Sequence, residues 1–552
     1  MAIVLLWLAL FQQHSTHAGD DRPAALMTGL GKLHHPIATK SREAQQFFNQ
    51  GLTLVYGFNH DEAIRSFRRA AELDPASPMP RWGIALALGP NINLDVDPER
   101  EKAAYDEAQR AKMLALRQSS GQALRQGSGQ AGLEASERAY VDALVMRYSN
   151  DPKADSKALA VQYKDAMRDL TKRYPNDLDA ATLYAEALMD LNPWRLWSSD
   201  GKPAEGTEEI VAVLESVLRR DPMHVGANHY YIHAVEASRT PGRALPSASR
   251  LDTLVPAAGH LVHMPAHIYM RTGDYQAAVT SNAKAADVDR KYIEATKPGG
   301  VYPAMYYNHN LDFLASAAMM TGQFAEASRA ADQLVAAVTP ALAEMPMLEP
   351  FGAKKLAVLL RFSRWNDVLA LAPPDAKWPL LTLLSHFGRG VAYAALRRVS
   401  DAKLEQVAYY ETRKKISGDT RWGYNNASAV IAITDAAFDA RVAAAEKQLG
   451  AAIEAWRRAV AAEDALDYNE PPDWFSPTRE SLGAALMRNT SFEEAERVFR
   501  ADLERNPKNG RSLFGLWQSL VAQDRTAEAA RAEREFRSAW THADVEMKLS
   551  DF

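Results

Sequence analysis

The chain has 552 residues, of which 47% are apolar and 24% charged, with a formal net charge of −5. That balance excludes wholesale disorder and a long basic field for nucleic acid. Cysteine is absent, which excludes disulfides, thiolate metal sites and cysteine nucleophiles together, so any metal must be held by histidine, carboxylate or backbone oxygen.

Residues 1–18 carry an apolar run from Ala2 to Phe11 and end in Thr16-His17-Ala18, a small-x-Ala pattern. The expectation is a secretory signal cleaved after Ala18 and a periplasmic or secreted protein, although no Lys or Arg precedes the run. Neither this run nor any later segment reaches the ~20 apolar residues of a membrane span. Residues 19–41 form a lead-in. From Arg42 onward, Ala-rich amphipathic segments alternate with short turns of Pro, Gly, Asn or Asp, and no stretch shows the alternation of a strand.

Two stretches interrupt this pattern. The Ser/Gly/Gln-rich run 117–132 predicts a flexible surface loop. In LNPWRLWSSDGKPAEG, Trp194 and Trp197 either fold over the mouth of the helical array or anchor a long connection onto its core.

The segment EAQQFFNQGLTLVYGFNHDEAIRSFRRAAELDP resembles a tetratricopeptide repeat, a helix-turn-helix unit of about 34 residues. With Ala44 as position 1, Gly51 falls at 8, Ala63 at 20, Phe67 at 24, Ala70 at 27 and Pro75 at 32. The same spacing recurs at Gly390 and Ala402, and at Gly483, Ala495, Phe499 and Pro507. Three or more such units stack on one another. The resemblance implies an all-α fold, a right-handed α-solenoid of such repeats, running as a single array over 42–552.

The region 221–321 is where chemistry concentrates. Between Asp221 and Asp312 lie seven of the fourteen histidines. His229 and His233 are four apart, as are His263 and His267, with His260 three residues before that second pair; on a helix such spacings share a face. The repeat frame places His229 and His233 at positions 5 and 9 of one unit, His260, His263 and His267 at 2, 5 and 9 of the next, and His309, Asp312 and Ser316 at 2, 5 and 9 of a third. In the tetratricopeptide family these positions of the first helix face the concave groove. Six of nine are histidine here, against roughly one in forty expected from fourteen in 552.

Imidazole is the commonest protein ligand for metals, and a pair four apart on a helix can grip one ion. The set His229, His233, His260, His263, His267 and His309 therefore predicts a transition-metal site, of copper, zinc or iron and not magnesium or calcium. Three imidazoles per ion would suit a dinuclear copper pair; three plus water would make a mononuclear centre. Glu236 and Asp312 share these faces and are candidate catalytic bases, ligands or orienters of a histidine N–H. Tyr230, Tyr231, Tyr306 and Tyr307 read mainly as packing between helices, the alternative being that one hydroxyl reaches the site.

Elsewhere, His34-His35 before Pro36 predicts a turn or a pair of extra ligands, and His60 a cap between two helices. Trp474, Arg479 and Glu480 predict either a closed end of the groove or an Arg–Glu pair between helices. The signatures of P-loop, GxSxG and HExxH enzymes are missing. HYYIHAVEAS, GHLVHMPAHIYMRTGDY and PPDWFSPTRESLGAAL also resemble motifs of a group of exported bacterial tetratricopeptide proteins of unassigned activity.

Two functional expectations follow. One is an exported metalloprotein, redox or hydrolytic, acting on a small molecule or peptide in the groove. The other is a non-catalytic scaffold or binding protein, with a peptide, small-molecule or protein partner, or one that delivers metal.

Overall fold

A computed structural model describes residues 24–121 and 129–552. The expected signal, 1–18, lies outside the described residues, and so does the centre of the Ser/Gly/Gln run. The flanks of that run are helical: one helix spans Pro98–Gly121 and the next Gly129–Val145. Arg117, Gln118, Gln130 and Ala131 are good helix formers, and the adjoining helices continue across them despite the neighbouring Gly and Ser.

The expected all-α fold is present. Among the described residues the named strands are limited to Arg421–Trp422 paired antiparallel with Asn425–Asn426 around Gly423, at φ +57°. Two-residue strands are too short to leave an alternating pattern in sequence. No helix among the described residues is long and apolar enough to cross a membrane.

The described residues fall into two compact units, one formed by those up to Pro265 together with Asp287–Pro303, the other by Ala266–Ala286 with Ala304–Phe552. Within each, consecutive antiparallel helix pairs stack as an α-solenoid. The first unit opens with the pair Arg42–Tyr56 and His60–Leu73. The second contains, among others, Tyr307–Met320 with Phe324–Val338, Ala427–Ala445 with Leu449–Asp464, and Thr478–Arg488 with Phe492–Arg505.

One turn recurs through both units. After the first helix of a pair a single residue enters the left-handed region, and the next residue's N–H bonds back to the carbonyl five residues earlier. Phe58 (φ 54°), Ser363, Arg397, Lys447, Thr490 and Asp524 take the left-handed place, and Gly273 and Gly322 take it in two further turns. The matching hydrogen bonds include Asn59 N to Leu54 O at 3.0 Å, Arg364 N to Leu359 O at 2.9 Å and Arg525 N to Leu520 O at 3.0 Å. This is the Schellman closure of a helix, which satisfies carbonyls that would otherwise be orphaned.

The small residue at position 8 has a packing reason. A Cβ on Gly51 would stand 2.6 Å from the Phe67 ring, and one on Gly83 would meet the same ring at the same distance. Phe67 is fully buried between the two, so its ring locks its own repeat to the next. In the second unit Phe499 sits in the same way between Gly483 and Gly515.

Candidate metal centre

His229 and His233 lie one turn apart on the Val225–Glu236 helix, and His260 on the short Gly259–His263 helix. The Val225–Glu236 helix packs against the end of the Arg42–Tyr56 helix, where Gly226 admits the Tyr56 ring; a Cβ there would lie 2.5 Å from it. Gly259 allows the buried Asp289 carboxylate to close on the start of the second helix. These approaches bring the three imidazoles together, and one ring nitrogen from each lies within 4.8 Å of the others.

The partners of these rings set their tautomers. His229 Nδ1 is 2.6 Å from the Tyr56 carbonyl oxygen, so Nδ1–H donates and the lone pair is on Nε2. His233 Nδ1 is 2.8 Å from Glu236 Oε1, with the same consequence. His260 Nε2 lies 3.1 Å from His229 Nε2. Two imidazole nitrogens at that separation share either one proton or one ion. Ligand nitrogens at ~2.0–2.1 Å from a tetrahedral ion are about 3.3–3.4 Å apart, so small adjustments admit a metal. A ligating histidine held by a carboxylate or backbone carbonyl is the usual outer-shell arrangement of metal centres. The donor set fits an imidazole-bound transition metal.

The surroundings are aromatic. The Phe58 ring faces all three imidazoles, with centroids 4.6 Å from His229, 6.0 Å from His233 and 5.3 Å from His260. Trp194 meets His233 edge-on at 5.5 Å. Trp197 donates Nε1–H to the Ala234 carbonyl at 2.7 Å, which anchors the 191–206 connection onto the histidine-bearing helix. His229, His233 and His260 are 0%, 6% and 2% exposed. These positions, expected to face the concave groove, are buried instead, because the turn after Tyr56 covers them.

Glu236 touches His233 and acts as its orienter. His263 lies in the first unit with its ring 5.8 Å from that of His260. His267 and His309 belong to the second unit, their rings 5.7 Å apart and both against Phe313. Asp312, also in the second unit, is held by Lys354 Nζ at 2.5 Å, and the same ammonium donates to Ser316.

Several expectations are corrected. His60 is not the cap; Asn59 is, accepting from Glu62 N, while His60 is the first helical residue, buried and bonded to Asn91. Burial, with Arg100 and Arg147 nearby, pulls His60 down to about 3, so it is neutral. His34 and His35 do not join the trio: His34 meets Asn49, and His35 meets Asp179. By contrast, the expected Arg–Glu pairing between helices is present at the buried Glu480, with Arg361 and Arg511 as the partners, while Arg479 binds Asp464.

Tyr231 donates its hydroxyl to Glu215 at 2.6 Å, and Tyr230 packs on Tyr56 and Phe58. The hydroxyl of Tyr302 accepts from the backbone N–H of His260 at 3.4 Å and donates to Asp289 at 2.9 Å. Sequence reasoning missed Tyr56, Phe58, Tyr302 and Asp289. The only available signal was the Phe58-Asn59-His60 turn, whose partners lie some 170 residues away along the chain, from Tyr56 to His229.

Residues 42–77 match a family model described as tetratricopeptide repeat. No curated protein matches the chain. Among solved structures, the human IFIT1 dimer with m7Gppp-AAAA is 12% identical, over 91% of each chain, with a TM-score of 0.33. Yeast Tom70 is 12% identical, over 91% of this chain and 93% of that one, with a TM-score of 0.27.

Proposed function

We propose that this tetratricopeptide-repeat protein binds a transition-metal ion through His229, His233 and His260, and that the ion ties together segments of its first unit that are remote in sequence. The carrying observation is the 3.1 Å approach of two imidazole nitrogens, of which His229 Nε2 holds a lone pair in the neutral ring because Nδ1–H is donated to the Tyr56 carbonyl. All-nitrogen ligation in an apolar shell favours copper, zinc or iron over harder ions.

The α-solenoid supports a scaffold or binding role, with a peptide or protein as partner, and the metal would set the shape presented to it. Three protein ligands leave a fourth position, where an ion supplies Lewis-acid or redox chemistry to a small exogenous ligand. In such a reaction Glu236 would position His233. The apolar run at residues 2–11 supports export, which would place metal loading outside the cytoplasm.

Cobalt(II) tests the site directly. Titration of the metal-free protein should develop the intense visible bands of a low-coordinate, nitrogen-ligated ion. The His229→Ala/His233→Ala variant should lack them while keeping its helical circular dichroism; equal bands in both proteins would sink the proposal.

A further inference from the structure

The first unit contains a cavity of about 1480 Å³ on whose wall stand His35, Asp177, Asp179 and His224. These residues do not belong to the imidazole trio. Asp177 and Asp179 sit at the start of the Leu178–Met189 helix, where Asp177 Oδ1 accepts from Ala180 N at 2.9 Å and so caps it. His35 arrives from the lead-in and His224 from the turn before the Val225–Glu236 helix.

Asp179 is the hub. Its Oδ1 accepts the Tyr56 hydroxyl at 2.6 Å and faces His224 Nε2 at 3.3 Å, while Oδ2 meets His35 Nδ1 at 2.8 Å. His224 takes the Ala227 N–H on Nδ1 at 3.2 Å, which leaves its proton on Nε2 to donate to Asp179. His35 is held by ring contacts with Phe48 and Tyr140 as well. One donor atom from each of His35, Asp177 and Asp179 lies within 4.8 Å of the others. Among the described residues neither carboxylate is paired with Lys or Arg; the ion-pair partners of Asp179 are the two imidazoles.

We propose that this wall is a second cation site, in which His35, Asp177 and Asp179 ligate a divalent ion that faces the cavity. Its chemistry differs from that of the trio. One nitrogen and two carboxylate oxygens suit manganese or another oxygen-preferring divalent ion, which three imidazoles in an apolar shell bind poorly. The Tyr56 hydroxyl and His224 orient Asp179 from behind, as outer-shell groups do. The cavity leaves room for water or an oxygen-bearing ligand to complete the coordination. Tyr56 also joins the two sites, since its hydroxyl serves Asp179 and its carbonyl serves His229.

The test is titration of the metal-free full chain with Mn2+, following free Mn2+ by its electron paramagnetic resonance signal. The expected result is one equivalent bound, weakened at least tenfold in His35→Gln/Asp177→Asn and unchanged in His229→Ala/His233→Ala. Asparagine keeps the helix cap at 177, and the single Asp177→Asn variant, with its thermal melt, separates lost ligation from lost fold. Unaltered Mn2+ binding in both Asp177→Asn and the double variant would overturn the proposal. So would no binding by the parent protein, or loss of binding only when the imidazole trio is changed.

Discussion

His229 Nε2 and His260 Nε2 lie 3.1 Å apart in the buried interior of the first unit. With His229 Nδ1 committed to the Tyr56 carbonyl, the pair is poised to share an ion, and His233 brings the third nitrogen. An ion here binds the folded state more tightly than the unfolded chain, so it should stabilise the fold by mass action. At a free metal concentration of 100 times Kd the gain is about 2.7 kcal/mol, and removal by a chelator should lower Tm accordingly. Glu236→Gln keeps the shape but weakens the grip on His233; metal affinity should fall about 10- to 100-fold, as read by competition with a chromophoric chelator.

The repeat lock can be tested without metal. Gly51→Ala forces a methyl to within 2.6 Å of the Phe67 ring, and overpacking of this kind costs about 1–3 kcal/mol. Gly450→Ala, on the Leu449–Asp464 helix with nothing within 4 Å of the added Cβ, should be neutral or stabilising by up to about 1 kcal/mol. Urea melts of the two variants compare them directly.

Glu137 gives a pH signature. It is 1% exposed, and burial pushes its carboxyl up to about 7 against the hydrogen bond from Ala38 N and the field of His35. Between its ordinary value of 4.5 and about 7 the folded state holds a proton that the unfolded chain has released. Stability from this group therefore falls as pH rises through that window. Glu137→Gln never ionises, so it should match the parent near pH 4.5 and exceed it above pH 7, by on the order of 3 kcal/mol. Melts at both pH values check the crossover; a constant difference would contradict it.

In the second unit the buried Glu480 accepts from Arg361 Nη2 at 3.0 Å, Arg511 Nε at 2.8 Å and Asn509 Nδ2 at 2.8 Å. Glu480→Ala strands two guanidinium groups away from water. A loss of about 3–5 kcal/mol is expected, seen as a lowered denaturation midpoint with no change in metal bound to the first unit's trio.

Local features of this chain were legible in its sequence, and long-range ones were not. Gly51, Ala63, Phe67 and Pro75 announce a helix pair because close helix crossing and helix termination impose fixed residue types at fixed intervals. The i, i+4 spacing of His229 and His233 predicts one helical face for the same reason. Nothing local shows that the Tyr56–Phe58 turn would cover that face, so imidazoles expected along an open groove are buried. Arg479 and Glu480 are adjacent in sequence but point to different partners, Asp464 and Arg361, which only tertiary packing selects. His60 looked like a cap because it borders a turn, yet Asn59 has the shorter side chain suited to reach Glu62 N.

The most direct test is elemental analysis of untagged, chelator-free protein beside its His229→Ala/His233→Ala variant. The account predicts copper, zinc or iron in the parent, with close to one equivalent lost in the variant while its helical content is retained. Parent protein that stays free of these metals after reconstitution, or a variant that holds as much as the parent, would contradict it.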